Sequence, residues 1–270
     1  MMTDSGTKEQ DDRIPNKIMD EDECSRNVKL EVTELRSELL KKIEKKLIVS
    51  CQALEDEPLH GRGMMVLMAK AAIMGGAAAI RANGAQDIED IKSAFDIPLI
   101  GLNKRNIEGY PVYITPTSED ALSVLRAGAD VVAIDCTLRK RPEGLDKIFA
   151  VIRREFPGKK IMADISSIED AREVSLLKPD FLATTLSGYT DETLARPKPD
   201  IRLVEALVEE FDIPIIAEGN YWEPEQVVKS LEAGAFSVTL GSVITRPQLI
   251  TKRFTSYLED WKKDRSQSGK

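Results

Sequence analysis

The sequence IPLIGLNKR, residues 97–105, is a short apolar run that ends in two cations. Large and β-branched apolar side chains in a run of this length predict a buried strand, with Lys104 at its carboxyl end. Parallel α/β folds bind their ligands at that end of their strands. The chain contains one histidine, His60, in a loop-like Pro-Leu-His-Gly segment, so acid–base chemistry would depend mainly on lysine and carboxylates. Lys104 is therefore the first candidate for a functional side chain.

Similar apolar runs recur along the chain and alternate with segments of helical periodicity. The predicted strands are 47–52, 77–83, 97–104, 131–136, 160–166, 181–187, 213–218 and 237–240, with a small extra strand at 112–114. Helices predicted before the segments 129–135 and 235–240 both end in Ala-Gly-Ala, where the glycine supplies a left-handed stop. Strands that alternate with helices indicate a parallel sheet with right-handed crossovers.

About eight strand–helix units in a chain of 270 residues predict an α/β protein, a (β/α)8 TIM barrel. An open doubly wound sheet is the alternative. That fold usually has a glycine-rich first turn, and Gly61-Arg62-Gly63 matches only half of the fingerprint because Val66 stands at the third glycine position.

The composition limits the classes of partner. A net charge of −8 and a pI near 5.0 argue against nucleic acid and anionic membranes as partners. No run approaches the ~18 apolar residues of a membrane span, and the start has no apolar signal-peptide core. Three cysteines without close spacing indicate reduced thiols. These features predict a cytoplasmic protein.

The two ends of the chain differ from its middle. Residues 1–28 are polar and lack periodicity, so we expect a disordered extension. Apolar residues at helical spacing predict a helix over 28–46 that caps the barrel. We therefore expect the catalytic barrel over 29–263 and a polar tail over 264–270.

Polar residues recur at the carboxyl ends of the predicted strands. These residues are Gln52, Arg81, Asn83, Lys104, Asp135, Asp164, Thr184, Ser187 and Glu218. Lys104 ends the third strand and Glu218 the seventh, so the two face each other across the mouth of an eight-stranded barrel. A lysine opposite a carboxylate is suited to moving a proton at carbon. A structural ion pair is the alternative.

The last two loops indicate a phosphate site. Gly219 follows the seventh strand, Gly241 and Ser242 follow the eighth, and a helix is predicted to begin near Arg246. Glycines let backbone N–H groups approach an anion, and barrels often hold a phosphate between these loops. Simple turn formation by the glycines is the alternative.

Two other kinds of site are not expected. Asp135, Asp164 and Glu218 could bind magnesium, but interleaved arginines and Lys104 oppose a cation, so we predict no metal and no cofactor. Cys51 and Cys136 lie near strand ends without a histidine nearby and are expected to be small core side chains.

A set of ordered motifs makes the chain resemble the N-acylglucosamine-6-phosphate 2-epimerase family. They are VSCQA (49–53), IRANG (80–84), IGLNKR (100–105), VYITPT (112–117), AIDCTLRKRP (133–142), MADIS (162–166), TTLSGYT (184–190), AEG (217–219) and GSVITRP (241–247). Members of this family are (β/α)8 enzymes that interconvert N-acetylmannosamine 6-phosphate and N-acetylglucosamine 6-phosphate in sialic acid catabolism. The resemblance covers roughly residues 35–255.

The resemblance implies a role for each candidate. Lys104 and Glu218 correspond to the catalytic pair. The implied substrate-binding residues are Gln52, Arg81, Asp164 and Thr184, and the implied phosphate-binding residues are Gly219, Gly241, Ser242 and Arg246. The implied partners are a small-molecule substrate and a second copy of the chain in a homodimer. Two departures from the family pattern are Asn220, where a basic residue is usual, and the loop 55–63, which is longer than expected.

The implied chemistry begins with opening of the sugar ring, which places an aldehyde beside C2 and acidifies the C2 hydrogen. A neutral lysine removes that hydrogen, and reprotonation of the enolate on the other face inverts C2. Burial and nearby Arg81 and Arg105 are expected to lower the pKa of Lys104 and to stabilise the enolate oxygen. The alternatives are a lysine Schiff-base aldolase and a non-catalytic sugar-phosphate sensor.

Overall fold

The computed structural model describes residues 38–268, with side chains described as far as residue 265. Eight parallel strands form a closed barrel in sequence order, and the eighth pairs with the first, so the predicted (β/α)8 fold is confirmed. The strands are β1 (Leu47–Cys51), β2 (Ala79–Asn83), β3 (Leu99–Leu102), β4 (Val131–Asp135), β5 (Lys160–Asp164), β6 (Phe181–Ala183), β7 (Ile215–Glu218) and β8 (Ser237–Leu240).

Helices connect the strands on the outside of the barrel, where their apolar sides pack on the sheet. They are α1 (Met64–Met74), α2 (Ala85–Ala94), α3 (Ser118–Arg126), α4 (Leu145–Glu155), α5 (Ile168–Ser175), α6 (Ile201–Glu210), α7 (Pro224–Glu232), the short α8 (Ser242–Thr245) and α9 (Pro247–Ser268). The predicted glycine stops are confirmed, since Gly128 and Gly234 follow α3 and α7 with φ angles of 106° and 97°. The helix α9 continues past residue 263 to Ser268. The boundary predicted at residue 263, between the catalytic barrel and a polar tail, stays a prediction.

The first residues described close the amino-terminal end of the barrel. Residues 38–43 are helical, and Ile43 is buried among inward-facing strand residues such as Ile48 and Phe181. Lys45 fastens this segment, because its backbone N–H and its ammonium group both bond to carbonyl groups just before β8. The rest of the predicted capping helix, and the predicted disordered extension, lie outside the described residues.

Gly101 in the middle of β3 allows two helices to pack closely on the strand. A Cβ atom at this position would lie 2.5 Å from a methyl group of Val124 in α3 and 2.9 Å from one of Ile88 in α2. Both distances are shorter than a normal van der Waals contact, so only glycine fits without movement. Within IPLIGLNKR, Gly101 therefore allows helices to pack on the outside of the barrel, whereas Lys104 lies at its mouth.

The observed strands stop earlier than predicted at several carboxyl ends. The strand predicted over 181–187 ends at Ala183, because Thr184 turns its hydroxyl to the backbone of Glu218 in β7. The small strand predicted at 112–114 is wrong as a strand: it is one antiparallel bridge between Lys104 and Ile114. Hydrogen bonds from Arg105 N to Tyr113 O and from Thr115 N to Asn103 O hold this loop over the barrel mouth.

Candidate active site

A cavity of about 390 Å³ lies at the carboxyl ends of the strands. Its size falls in the range of small-molecule sites. Every strand except β4 and β5 contributes to the wall, directly or through the loop that follows. The polar lining residues include Ser50, Gln52, Arg81, Lys104, Tyr113, Thr185, Tyr189, Glu218, Asn220, Tyr221, Thr239, Ser242 and Arg246.

Lys104 enters this cavity two residues after β3. Its backbone N–H donates to the side-chain oxygen of Asn83, 2.7 Å away at the end of β2, which fixes the direction of the chain. Burial and the positive charges of Arg81 and Arg246 together lower the pKa of Lys104 to about 8, against the opposite effect of the Glu218 and Glu57 carboxylates. A lysine with this pKa is partly neutral near physiological pH and can accept a proton.

Arg81 forms the floor of the cavity and is 1% exposed. Its guanidinium makes a bidentate contact with Asp164, with N–O distances of 2.5 and 3.1 Å. The same group also donates to the carboxylate of Glu218 at 2.8 Å. One arginine therefore serves two carboxylates at the ends of β5 and β7.

The pKa of Glu218 is shifted in the opposite direction from the pKa of Lys104. Burial and the nearby charge of Asp164 raise its pKa to about 7, against the lowering effect of the Arg81 charge. The hydroxyl of Thr185 donates to Asp164 at 2.8 Å and also lies 3.2 Å from the Glu218 carboxylate. Glu218 and Lys104 line the same cavity, so the structure brings together the two predicted catalytic residues.

The loops after β7 and β8 form one end of the cavity. Gly219, Gly241, Ser242 and Arg246, the four residues predicted to bind phosphate, all line it. Gly219 has a φ of 107°, and a Cβ there would lie 3.3 Å from the carbonyl oxygen of Thr184, so the turn favours glycine. Asn220 also has a positive φ, 61°, a conformation that asparagine tolerates better than most residues.

Two of the predicted site residues lie beneath the cavity instead of lining it. Asp164 is fully buried and acts on the site through Arg81 and Thr185. The Thr184 hydroxyl donates to the backbone carbonyl of Glu218 at 2.8 Å and accepts from its N–H at 3.0 Å. Both residues hold the functional side chains in place.

Other predicted mouth residues point elsewhere. Arg105 was expected to act on Lys104, but its guanidinium pairs with Asp120 at 2.7 Å, and Arg246 takes its electrostatic role. Asp135 is buried against Arg139, also at 2.7 Å. Within residues 38–268, no cluster of three or more His, Cys, Asp or Glu side chains is arranged to hold a metal ion.

Four buried polar atoms lack a hydrogen-bond partner within the described part of the chain. They are Gln52 Oε1, Arg81 Nε, Asn220 Nδ2 and Thr239 Oγ1. All four belong to residues that line the cavity. Because unpaired buried polar atoms are costly, their concentration here indicates that the cavity binds a polar ligand.

Sequence reasoning missed some of the lining residues. Thr185 and Thr239 both face the cavity, and strand alternation could have found them: Phe181 and Ala183 point into the barrel, so Thr185 follows on the same side. Glu57, in the loop after β1, contacts Arg246 at 2.5 Å, and no local sequence signal links the two.

Comparisons with known proteins agree on one family. The sequence profile of a family described as "Putative N-acetylmannosamine-6-phosphate epimerase" (NanE) matches residues 65–260. A protein of Caldanaerobacter subterraneus named "Putative N-acetylmannosamine-6-phosphate 2-epimerase" is 48% identical over 228 residues, which covers 84% of this chain and 96% of the relative. A protein of the same name from Clostridioides difficile is 45% identical over 223 residues, covering 82% of this chain and 99% of its own.

Solved structures give the same result. The N-acetylmannosamine-6-phosphate 2-epimerase from Clostridium perfringens superposes with a TM-score of 0.78 and 44% identity, covering 81% of this chain and 96% of that one. Thiamine phosphate pyrophosphorylase from Pyrococcus furiosus shares the fold alone, with a TM-score of 0.52 and 19% identity over 77% of this chain and 91% of that one. No helix within residues 38–268 is both long and apolar enough to span a membrane. The chain belongs to the N-acetylmannosamine-6-phosphate 2-epimerase family.

Proposed function

We propose that this protein inverts C2 of N-acetylmannosamine 6-phosphate to give N-acetylglucosamine 6-phosphate, by deprotonation and reprotonation through an enolate. The observation that carries the proposal is the pairing of Lys104 and Glu218 in one cavity, with a lowered pKa for the amine and a raised pKa for the carboxyl group. Family membership supports the same substrate and reaction.

The two pKa values make proton exchange between the groups easy. Lysine and glutamate ordinarily titrate at 10.5 and 4.5, but here they titrate at about 8 and about 7. One pKa unit corresponds to about 1.4 kcal/mol, so the state with neutral Lys104 and protonated Glu218 lies close to the state in which both are charged. An epimerase must run in both directions, and such a pair offers a base and an acid for either.

We assign one face of the sugar to each group. In the open-chain substrate the aldehyde at C1 acidifies the C2 hydrogen. Neutral Lys104 removes this proton, electrons from the C–H bond form the enolate, and protonated Glu218 delivers a proton to C2 from the opposite side. Lys104 follows β3 and Glu218 is the last residue of β7, and these two strands are on opposite sides of the barrel. Reversing the roles returns the substrate.

The remaining predicted residues bind and orient the sugar phosphate. We assign Gln52 and Arg81 to direct contact with the sugar, since each has an unpaired polar atom at the cavity. The buried guanidinium of Arg81 is suited to stabilising the enolate oxygen. Asp164 and Thr184 act by holding Arg81 and Glu218.

We assign the phosphate to the end of the cavity formed by the last two loops. Backbone N–H groups at Gly219, Gly241 and Ser242 supply donors, and Arg246 supplies a positive charge. Asn220, two residues after Glu218, also lines the cavity, and its buried side-chain N–H group has no partner among the residues that the structure describes. We assign this amide as a further neutral donor to the substrate.

Hydrogen exchange at carbon tests the reaction. In heavy water the product should carry deuterium at C2, detected by proton NMR, because solvent protons replace the one that is removed. Product that retains its original C2 hydrogen would contradict deprotonation. Borohydride added during turnover should leave the protein mass unchanged, whereas a Schiff-base aldolase would gain a covalently reduced substrate. Product formation itself excludes a non-catalytic sensor.

The enzyme is also proposed to be a cytoplasmic homodimer. The helix α9 exposes large apolar side chains at helical spacing, Phe254, Tyr257, Leu258 and Trp261. Such a stripe needs an apolar partner in water, and we assign a second copy of this chain to it. Light scattering on the eluted protein should give twice the chain mass of 30.0 kDa, and charged substitutions at Tyr257 and Leu258 should reduce it to the monomer value.

A further inference from the structure

We propose that Glu57 is a positioning residue that holds Arg246 in the orientation needed for the substrate phosphate. This inference rests on the proposed phosphate site. Glu57 belongs to the loop between β1 and α1.

The contact between the two residues is bidentate. Glu57 Oε1 lies 2.5 Å from Arg246 Nε, and Oε2 lies 3.0 Å from Nη2. Both side chains are mostly buried, with exposed fractions of 16% for Glu57 and 22% for Arg246. Planar contacts of this kind are among the strongest and most directional ion pairs in proteins.

Glu57 is itself held on two sides. The backbone N–H of Leu54 donates to one carboxylate oxygen at 2.9 Å, and the side-chain amide of Gln248 donates to the other at 3.2 Å. Burial raises the pKa of Glu57, but the hydrogen bonds from Arg246 and Leu54, together with the positive charges of Arg246 and Lys104, outweigh burial and leave the pKa below its ordinary value. The carboxylate is therefore charged and fixed at neutral pH.

The geometry determines which donors of Arg246 remain for a ligand. Glu57 occupies the edge formed by Nε and Nη2, and Nη1 donates to the Ser242 hydroxyl at 3.1 Å. The end of the guanidinium, with one further hydrogen on each Nη atom, is directed away from Glu57. Because Arg246 and Ser242 both line the cavity, this end is the one available to two oxygens of a phosphate.

A negative charge so close to a phosphate site can act in two opposite ways. If the carboxylate only opposed the incoming phosphate, its removal would strengthen phosphate binding. If it positions Arg246, its removal frees the guanidinium and weakens phosphate binding, even though the site becomes more positive. The direction in which phosphate affinity changes distinguishes these cases, and we expect removal of the carboxylate to weaken phosphate binding.

The experiment compares Glu57→Gln with the matched control Glu55→Gln, which lies in the same loop with an exposed side chain. The readouts are inhibition by inorganic phosphate, KM for N-acetylmannosamine 6-phosphate, and kcat. We expect Glu57→Gln to raise both the inhibition constant of phosphate and KM roughly tenfold, as befits loss of a hydrogen bond to a charged group, with kcat within about threefold of wild type. The control should match wild type.

Two further variants complete the design. Glu57→Asp keeps the charge but shortens the reach, so it should behave like Glu57→Gln if position matters. Wild-type phosphate inhibition in Glu57→Gln, or tighter inhibition, overturns the inference. Arg246→Lys tests the underlying site: if it leaves phosphate inhibition unchanged, the phosphate assignment fails together with the role of Glu57. If Arg246→Lys weakens inhibition and Glu57→Gln does not, only the role of Glu57 fails.

Discussion

Two largely buried carboxylates at opposite ends of the barrel, each with 13% of its side chain exposed, differ in what they do for the protein. Asp180 precedes β6 at the amino-terminal end, where it accepts from Arg153 at 2.8 Å, Lys160 at 3.3 Å and the backbone N–H of Ile161 at 2.9 Å. Burial raises its pKa, but the Ile161 N–H and the two cations outweigh burial and leave it lowered. Glu218 at the mouth has a pKa raised to about 7.

The difference lies in the ratio of donors to carboxylates. At the amino-terminal end one carboxylate has two cations and a backbone donor, so its charge is fully compensated. At the mouth, Arg81 forms ion pairs with both Asp164 and Glu218. Burial also reduces the solvation of these two carboxylates by water. A compensated carboxylate stabilises the fold, whereas an undercompensated one keeps a proton available for chemistry.

The largest expected effect comes from removing the amine at the mouth. Lys104→Met keeps most of the apolar stem but removes the base, so turnover should fall by about 10²–10⁴-fold. The matched control is Lys160→Met at the other end, whose ammonium pairs with Asp180. That variant should lose stability but keep turnover per folded molecule. A Lys104→Met enzyme with near-normal turnover would remove this lysine from the mechanism.

The carboxylates themselves should separate activity from stability. Asp180→Asn breaks a compensated buried pair and should lower the free energy of unfolding by about 3 kcal/mol, with turnover unchanged at temperatures where the protein stays folded. Glu218→Gln should lower turnover by about 100-fold or more but leave the free energy of unfolding nearly unchanged or higher at pH 7.5. Urea unfolding and turnover measured on both variants test this contrast, and similar stability losses in both would refute it.

The sequence was sufficient to predict the features that strand order and alternation determine. Lys104 and Glu218 could be placed across the mouth because parallel strands end at one rim. Directions of side chains beyond the strand ends were harder to predict. The Arg105 side chain turns away from the cavity because its guanidinium donates hydrogen bonds to Asp120, which forms a capping box with Thr117.

Long-range pairing was the other limit. Glu57 and Arg246 are 189 positions apart and meet only because closure of the barrel brings the loop after β1 beside the loop after β8. The sequence around either residue contains no pattern that predicts its partner. The hydroxyl of Thr245, which donates to the carbonyl of Ser50 at 2.9 Å, joins the same two segments and was equally invisible in the sequence.

The smallest expected effect is a difference in how the two carboxylates make stability depend on pH. Glu218 holds its proton in the folded state up to about pH 7, but a glutamate in the unfolded chain loses it near pH 4.5. Between these values the folded state binds the extra proton, so this group's contribution to stability falls as pH rises. Asp180 has the opposite sign: its folded pKa lies below 3.8, so its contribution is present above that pH and is lost as pH falls through the folded value.

The two signs can be separated with the same pair of variants. From pH 5 to pH 7.5, wild type should lose on the order of 2 kcal/mol of unfolding free energy relative to Glu218→Gln, because only wild type must ionise a buried carboxyl group. Relative to Asp180→Asn, wild type should show no such loss, since Asp180 is ionised in the folded and unfolded states throughout this range. Parallel stability curves for wild type and Glu218→Gln would mean that the mouth compensates its carboxylates as well as the other end does, and the physical basis for a shared proton between Glu218 and Lys104 would be gone.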